Sequence, residues 1–146
     1  MINILFSGNG KVFDGVLTCI LSILKRTKTI EPFCIYVYTM DVTRIKPEYT
    51  PISGEMIEFL DGVAKEYNAK NQVLRVDVTD LYEQYFAKCP NEDAYCSPYT
   101  LLRLFADLVP GMPDKLLYLD VDILFQHDIE MLYNINAVSY THLTLP

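Results

Sequence analysis

The chain has 146 residues, room for one domain and not for two. Half of it is apolar (51 %) and 12 % is aromatic, so it can bury a core and is not disordered in composition. A formal charge of −7, with no basic run longer than Lys25-Arg26, excludes a nucleic-acid surface, which needs Lys and Arg clustered against phosphates.

Residues 2–6 form a short apolar strand ended by Gly8-Asn9-Gly10, a turn signal. Residues 12–25 carry Val16, Leu17, Ile20, Leu21 and Leu24 at helical spacing, apolar nearly all round, which predicts a buried helix. Its apolar run is too short to span a bilayer, and no basic stretch precedes an apolar one as in a secretory signal. Residues 33–40 alternate and are rich in β-formers, giving a second strand. Ser53 caps an expected helix to Tyr67, with Met56, Ile57, Leu60, Ala64 and Tyr67 on one face. Residues 72–77 are a third strand, and Thr79 or Asp80 is expected to cap a short helix through Phe86.

Residues 87–95 read as a polar loop. Ser97-Pro98 opens a further helix, with a cap and then Pro at the first helical position; Leu101, Leu102, Phe105, Leu108 and Val109 are its apolar face. Residues 110–113 end it, and residues 115–119 are a fourth strand with Asp120 and Asp122 at its exit. The last residues, 138–146, fit neither strand nor helix and look like a translated sequencing-adaptor tail. Native sequence is therefore expected to stop near Asn136, leaving an N-terminal fragment of one domain, residues 1–136, followed by a non-native tail, residues 137–146. Cys19 and Cys34 fall in a helix and a strand as small buried hydrophobes. Cys89–Cys96 is the one bridge considered, and without a signal peptide free thiols in a reducing cytoplasm are expected.

Strands alternating with helices predict an α/β fold, a mostly parallel sheet with helices on both faces. Ligands gather at the carboxyl ends of such strands. Ser7-Gly8-Asn9-Gly10 and Asp120-Val121-Asp122 both lie at strand ends, so they are expected to share a site. Carboxylates at i and i+2 of an extended chain sit roughly 6.5 Å apart on one side. Both can reach one hard cation such as Mg²⁺ or Mn²⁺, which completes its shell with phosphate oxygens and stabilises a diphosphate as a leaving group. A lone D-x-D is weak, since acidic pairs are common on solvated loops. A buried strand running into the pair and on into Ile123-Leu124-Phe125 strengthens it, because flanked charges are expensive unless paired. Gly8-Asn9-Gly10-Lys11 is either a plain turn or a cradle of backbone N–H groups for a nucleotide, with neither P-loop nor dinucleotide-loop spacing. Arg103 is either a solvated residue or a phosphate contact. Asp107, one turn on, is expected to pair with Arg103. His127 is as consistent with a surface loop as with a ligand.

With these residues in view, the chain resembles glycosyltransferase family 8, the galactosyl- and glucosyltransferase group that includes lipopolysaccharide transferases and glycogenin. Three segments carry the resemblance: Ile2-Asn3-Ile4-Leu5-Phe6-Ser7 with its turn and helix, the Tyr99-Thr100-Leu101-Leu102-Arg103-Leu104-Phe105-Ala106-Asp107-Leu108 helix, and Lys115-Leu116-Leu117-Tyr118-Leu119-Asp120-Val121-Asp122-Ile123. The last is highly specific and the first modest. The resemblance implies the GT-A nucleotide-diphospho-sugar transferase fold and retaining transfer of a hexose from UDP-glucose or UDP-galactose, with Mn²⁺ or Mg²⁺. It implies Asp120 and Asp122 on metal and diphosphate, Ser7, Gly8 and Asn9 at the uridine, and Arg103 reaching the donor. The acceptor would be a saccharide, lipopolysaccharide or protein, and the location cytoplasmic or peripheral at the membrane, with no transmembrane segment. Asn9 stands where the family usually has Asp, which alters the base contact. The family's later His ligand and acceptor half would lie beyond residue 146, so the chain alone is expected to be inactive. Two alternatives remain: a catalytically dead nucleotide-sugar binder, and a haloacid-dehalogenase-like phosphatase, whose nucleophile also sits in a strand leading into D-x-D.

Overall fold

β1 (Ile2–Ser7) is the strand around which the sheet assembles. The computed structural model describes residues 1–87, 89, 92, 94 and 96–135; the tail expected to be non-native, and most of the polar loop before Ser97, lie outside the described residues. β2 (Phe33–Thr39) pairs with β1 in parallel from Ile2 opposite Phe33 to Ser7 opposite Tyr38, and β3 (Gln72–Asp77) pairs with β2 in the same sense. β4 (Leu117–Tyr118) joins the other side of β1, also in parallel, with Ile4 opposite Leu117 and Leu5 opposite Tyr118. The order is β3-β2-β1-β4, the parallel α/β sheet expected.

Period-two alternation sorts the strands' side chains between two cores. On one face Ile2, Ile4, Phe6, Phe33, Ile35, Val37 and Val73 meet α1 (Phe13–Arg26), through Val16, Cys19, Ile20 and Ile23, and α2 (Gly54–Tyr67), through Ile57, Leu60 and Ala64. On the other, Leu5 and Tyr38 meet Tyr82 of α3 (Thr79–Phe86) and Tyr99, Leu102 and Phe105 of a 3-10 helix, Pro98–Phe105. Lys25 and Arg26 close α1 where cations oppose the negative helix end. Ser53 caps α2, its hydroxyl accepting from Met56 N at 3.2 Å.

Four expectations are corrected. Val78 rather than Thr79 or Asp80 precedes α3, and Asp77 accepts from Thr79 N at 3.0 Å in place of a side-chain cap. The helix after Ser97 is 3-10 and ends at Phe105, with turns from Ala106 onward. Tyr67, placed on the buried face of α2, is 45 % exposed at the helix end. The fourth strand shrinks to two residues at the sheet edge, half-buried rather than buried. A short helix not foreseen, α4 (Glu130–Tyr133), is pinned by Tyr133, whose hydroxyl donates to Lys115 O at 3.2 Å and accepts from Asn3 N at 3.2 Å. Among the described residues no helix is long and apolar enough to cross a membrane. Cys19 and Cys34 are buried, and Cys89 and Cys96 are exposed free thiols.

Asn71 is the polar clamp of the first core. Only 1 % exposed, it accepts from Phe33 N at 2.9 Å and donates to Ala64 O at 2.9 Å, satisfying the start of β2 and the end of α2 together. Asn71→Ala strands a buried N–H and a carbonyl, and is expected to lower stability by about 2–4 kcal/mol, read as a shift of the urea midpoint at unchanged slope.

Candidate functional site

Strand order fixes where a ligand can enter. The chain winds outward from β1 to β2 to β3, then returns to the far side of β1 for β4, so its direction reverses between β1 and β4. At such a switch point the connections diverge to opposite faces and leave a crevice at the carboxyl ends of the strands. A cleft of about 380 Å³ lies there. Ser7, Gly8, Asn9 and Val12 line it from the β1 side, Tyr118, Asp120, Val121 and Asp122 from the β4 side, and Ser97, Tyr99 and Thr100 from the start of the 3-10 helix. A larger hollow of about 640 Å³ runs along α1 past Leu21, Lys25, Leu124 and Phe125, but has neither convergent carboxylates nor a strand-end turn.

The turn after β1 is built for close approach. A Cβ at Gly8 would collide with the side chain of Val12, so only glycine lets this loop fold onto the first helical turn. Asn9, 5 % exposed, is committed to that turn: its Oδ1 accepts from Lys11 N at 3.1 Å, and its Nδ2 points at Glu48 O at 3.5 Å. Lys11 lies outside the lining, with its ammonium 3.8 Å from Glu48. Tyr99 closes the floor, donating to Met40 O at 2.9 Å; burial pushes its phenol up to about 12.

The acidic pair departs from the expected geometry. Leu119 N still donates to Leu5 O at 3.0 Å, but the chain turns at Val121 and Asp122, so the carboxylates do not sit on an extended segment. Both are exposed, and Ile123 and Leu124 behind them are 37 % and 56 % exposed. The cost of burying flanked charges therefore does not apply. What holds the turn is Val121, packed against the α1 core with its carbonyl over Gly15. Two hard oxygen donors opening on one cleft fit Mg²⁺ or Mn²⁺ chemistry. No group of three His, Cys, Asp or Glu able to hold a metal occurs among the described residues, so most of an octahedral shell would come from water or ligand phosphates.

Tyr118, missed as a site residue, joins the two halves. Its hydroxyl donates to Asp120 Oδ1 at 2.8 Å and lies 3.3 Å from Ser7 Oγ. Burial, opposed by Ser7 and reinforced by the Asp120 carboxylate, raises the phenol above its ordinary value, so it keeps its proton at neutral pH. Alternation along the expected strand would have found it, because positions 118 and 120 of an extended chain fall on one side. Arg103 is outside the lining, its guanidinium 5.2 Å above the Tyr118 ring. No ion pair joins Arg103 to Asp107 among the described residues. The 3-10 helix ends at Phe105, so Asp107 lies in the turns beyond it and the i, i+4 neighbourhood of an α-helix is not formed. His127 is exposed and away from the cleft lining.

The family model Glycosyl transferase family 8 matches residues 3–143. No curated protein matches the chain. An active-site glutamine-to-glutamate mutant of LgtC superposes with TM-score 0.64 at 17 % identity, over 92 % of this chain and 42 % of that one. Mouse xyloside xylosyltransferase 1, in its apo form, superposes with TM-score 0.56 at 13 % identity, over 91 % and 47 %. The fold they share with this chain is the GT-A type, and the chain spans less than half the length of either.

Two helical glycines give opposite expectations. A Cβ at Gly15 would stand 2.5 Å from Val121 O, whereas one at Gly62 in α2 meets nothing within 4 Å. Gly62→Ala should stabilise by about 0.5–1 kcal/mol through helix propensity. Gly15→Ala gains the same propensity but must lift the Val121 turn, and is expected to destabilise by about 1–3 kcal/mol. Thermal unfolding of the two variants checks the sign of each.

Proposed function

The chain belongs to glycosyltransferase family 8, and we propose that its β1/β4 cleft holds the donor of a retaining hexosyl transfer, UDP-glucose or UDP-galactose, with Mn²⁺ or Mg²⁺ on Asp120 and Asp122. One observation carries this: the Ser7-Gly8-Asn9 turn and the acidic pair line a single cleft where the sheet reverses. Gly8, bare of a side chain, leaves backbone free to approach a nucleoside, and Ser7 offers a hydroxyl beside it. Asn9 supports the turn rather than reading the base, since its carboxamide is engaged locally. The bound cation would neutralise the diphosphate as leaving group. Val121 anchors the pair through the α1 core, and Arg103 sets the ring of Tyr118 and adds positive charge near the cleft. The acceptor is a saccharide, a lipopolysaccharide or a protein, and the location cytoplasmic, peripheral at the membrane for a lipid-linked acceptor.

A binding-only role is the second reading, and the observation that favours it is an acidic pair with no third His, Cys, Asp or Glu grouped beside it among the described residues. Family membership leaves the phosphatase alternative without support.

Calorimetry with UDP in Mn²⁺ tests the site. Asp120→Asn and Asp122→Asn are each expected to weaken UDP binding at least about tenfold, roughly 1.4 kcal/mol, without altering the weak binding of uridine. Mn²⁺-dependent hydrolysis of UDP-glucose or UDP-galactose separates a transferase from a binder. Absence of any metal-dependent UDP binding by the unaltered chain would sink the proposal.

A further inference from the structure

We propose that Tyr118 is a positioning residue, holding one oxygen of Asp120 in a fixed direction through a hydrogen-bond relay that begins at Ser7. This rests on the donor-site reading above, in which Asp120 is a metal ligand.

Proton counting gives the relay its direction. A carboxylate can only accept, so the single phenolic proton of Tyr118 goes to Asp120 Oδ1, at 2.8 Å. The contact between Ser7 Oγ and the phenol oxygen, 3.3 Å, is then made by the serine proton. The order is Ser7 to Tyr118 to Asp120, from the nucleotide turn to the acidic pair. Two consequences follow for a ligand. Ser7 has given its proton away and meets the cleft as an acceptor, suited to an N–H or O–H and not to a phosphate oxygen. Asp120 Oδ1 has one lone pair engaged by the phenol, which leaves Oδ2 as the less encumbered oxygen for a cation.

The relay matters because its members differ in rigidity. Asp120 is exposed and has already left the strand. Tyr118 is the last residue of β4, paired with Leu5, with its half-buried ring packed against the second core beneath the Arg103 guanidinium. An exposed carboxylate otherwise loses side-chain freedom on binding a cation, and a partner on a rigid element removes part of that loss beforehand.

Mn²⁺ titration of the 146-residue chain, followed by the paramagnetic resonance of free Mn²⁺ with and without UDP, tests this. Tyr118→Phe is expected to weaken Mn²⁺ binding about tenfold, the lower end for loss of a ligand's orienting partner, with the metal-free unfolding midpoint close to that of the unaltered chain. Ser7→Ala should lose less. The double variant, measured without UDP, should bind no more weakly than Tyr118→Phe, because Ser7 reaches Asp120 only through the phenol. Non-additivity of this kind is not produced by general loosening of the fold. Unchanged affinity in Tyr118→Phe, or losses that simply add, overturns the relay while leaving the donor site standing. If the unaltered chain takes up no Mn²⁺ even with UDP, the donor-site reading falls and the relay with it.

Discussion

Everything at the cleft depends on β1 being paired on both sides. Parallel strands need a crossover between them, so each connection must run over one face of the sheet and deliver its helix there. With β2 and β3 wound to one side, and β4 placed on the other after the 3-10 helix, the connections part at the β1/β4 boundary. Continuing the register of Ile4 with Leu117 and Leu5 with Tyr118 brings Asp120 level with Ser7. A slip of one residue would turn Tyr118 to the other face and separate the hydroxyls now in contact. The pairing thus sets both the location of the crevice and which side chains meet in it.

Most of this was legible in the sequence where periodicity is strong. The alternation over residues 33–40 and the helical spacing over residues 12–25 describe two-sided burial, and both elements are present to within a residue or so. The Gly8-Asn9 turn and the acidic pair were both placed at strand ends, and they do share a cleft. Less legible were features set by tertiary context. Pro98 and the apolar spacing after it do not distinguish a 3-10 from an α-helix, nor do they show that the helix stops at Phe105 and leaves Asp107 in the turns beyond it. The apolar run before Asp120 reads as a buried strand, but nothing local records that β4 lies at the sheet edge and pairs over only two residues. Gly15 carries no turn signal. Its role emerges only when the Val121 carbonyl is found against it, a contact between residues more than a hundred positions apart.

The exposed acidic pair changes which physical effect accounts for it. Were the carboxylates buried, desolvation would dominate and a cation would be needed to offset it. In the solvated turn that is found, their mutual repulsion is screened, and position does the work: one neighbour packed in the α1 core and one hydroxyl held by the sheet. Rigidity is borrowed from the two cores on either side of the sheet, since the turn has little of its own.

β4 has a further consequence, for how the molecule behaves in company. As an edge strand it leaves backbone N–H and C=O groups turned outward without a ladder among the described residues, and the stretch beyond it carries exposed Ile123, Leu124, Met131, Leu132 and Ile135. Edges of this kind are templates on which another chain can add itself, and proteins usually blunt them with charge, proline or a covering segment. Here Asp120 and Asp122 supply the charge at one end, and Lys115 stands just before the other. The same carboxylates that open on the cleft therefore also place negative charge at the end of the edge strand, where an apolar side chain would extend the exposed patch.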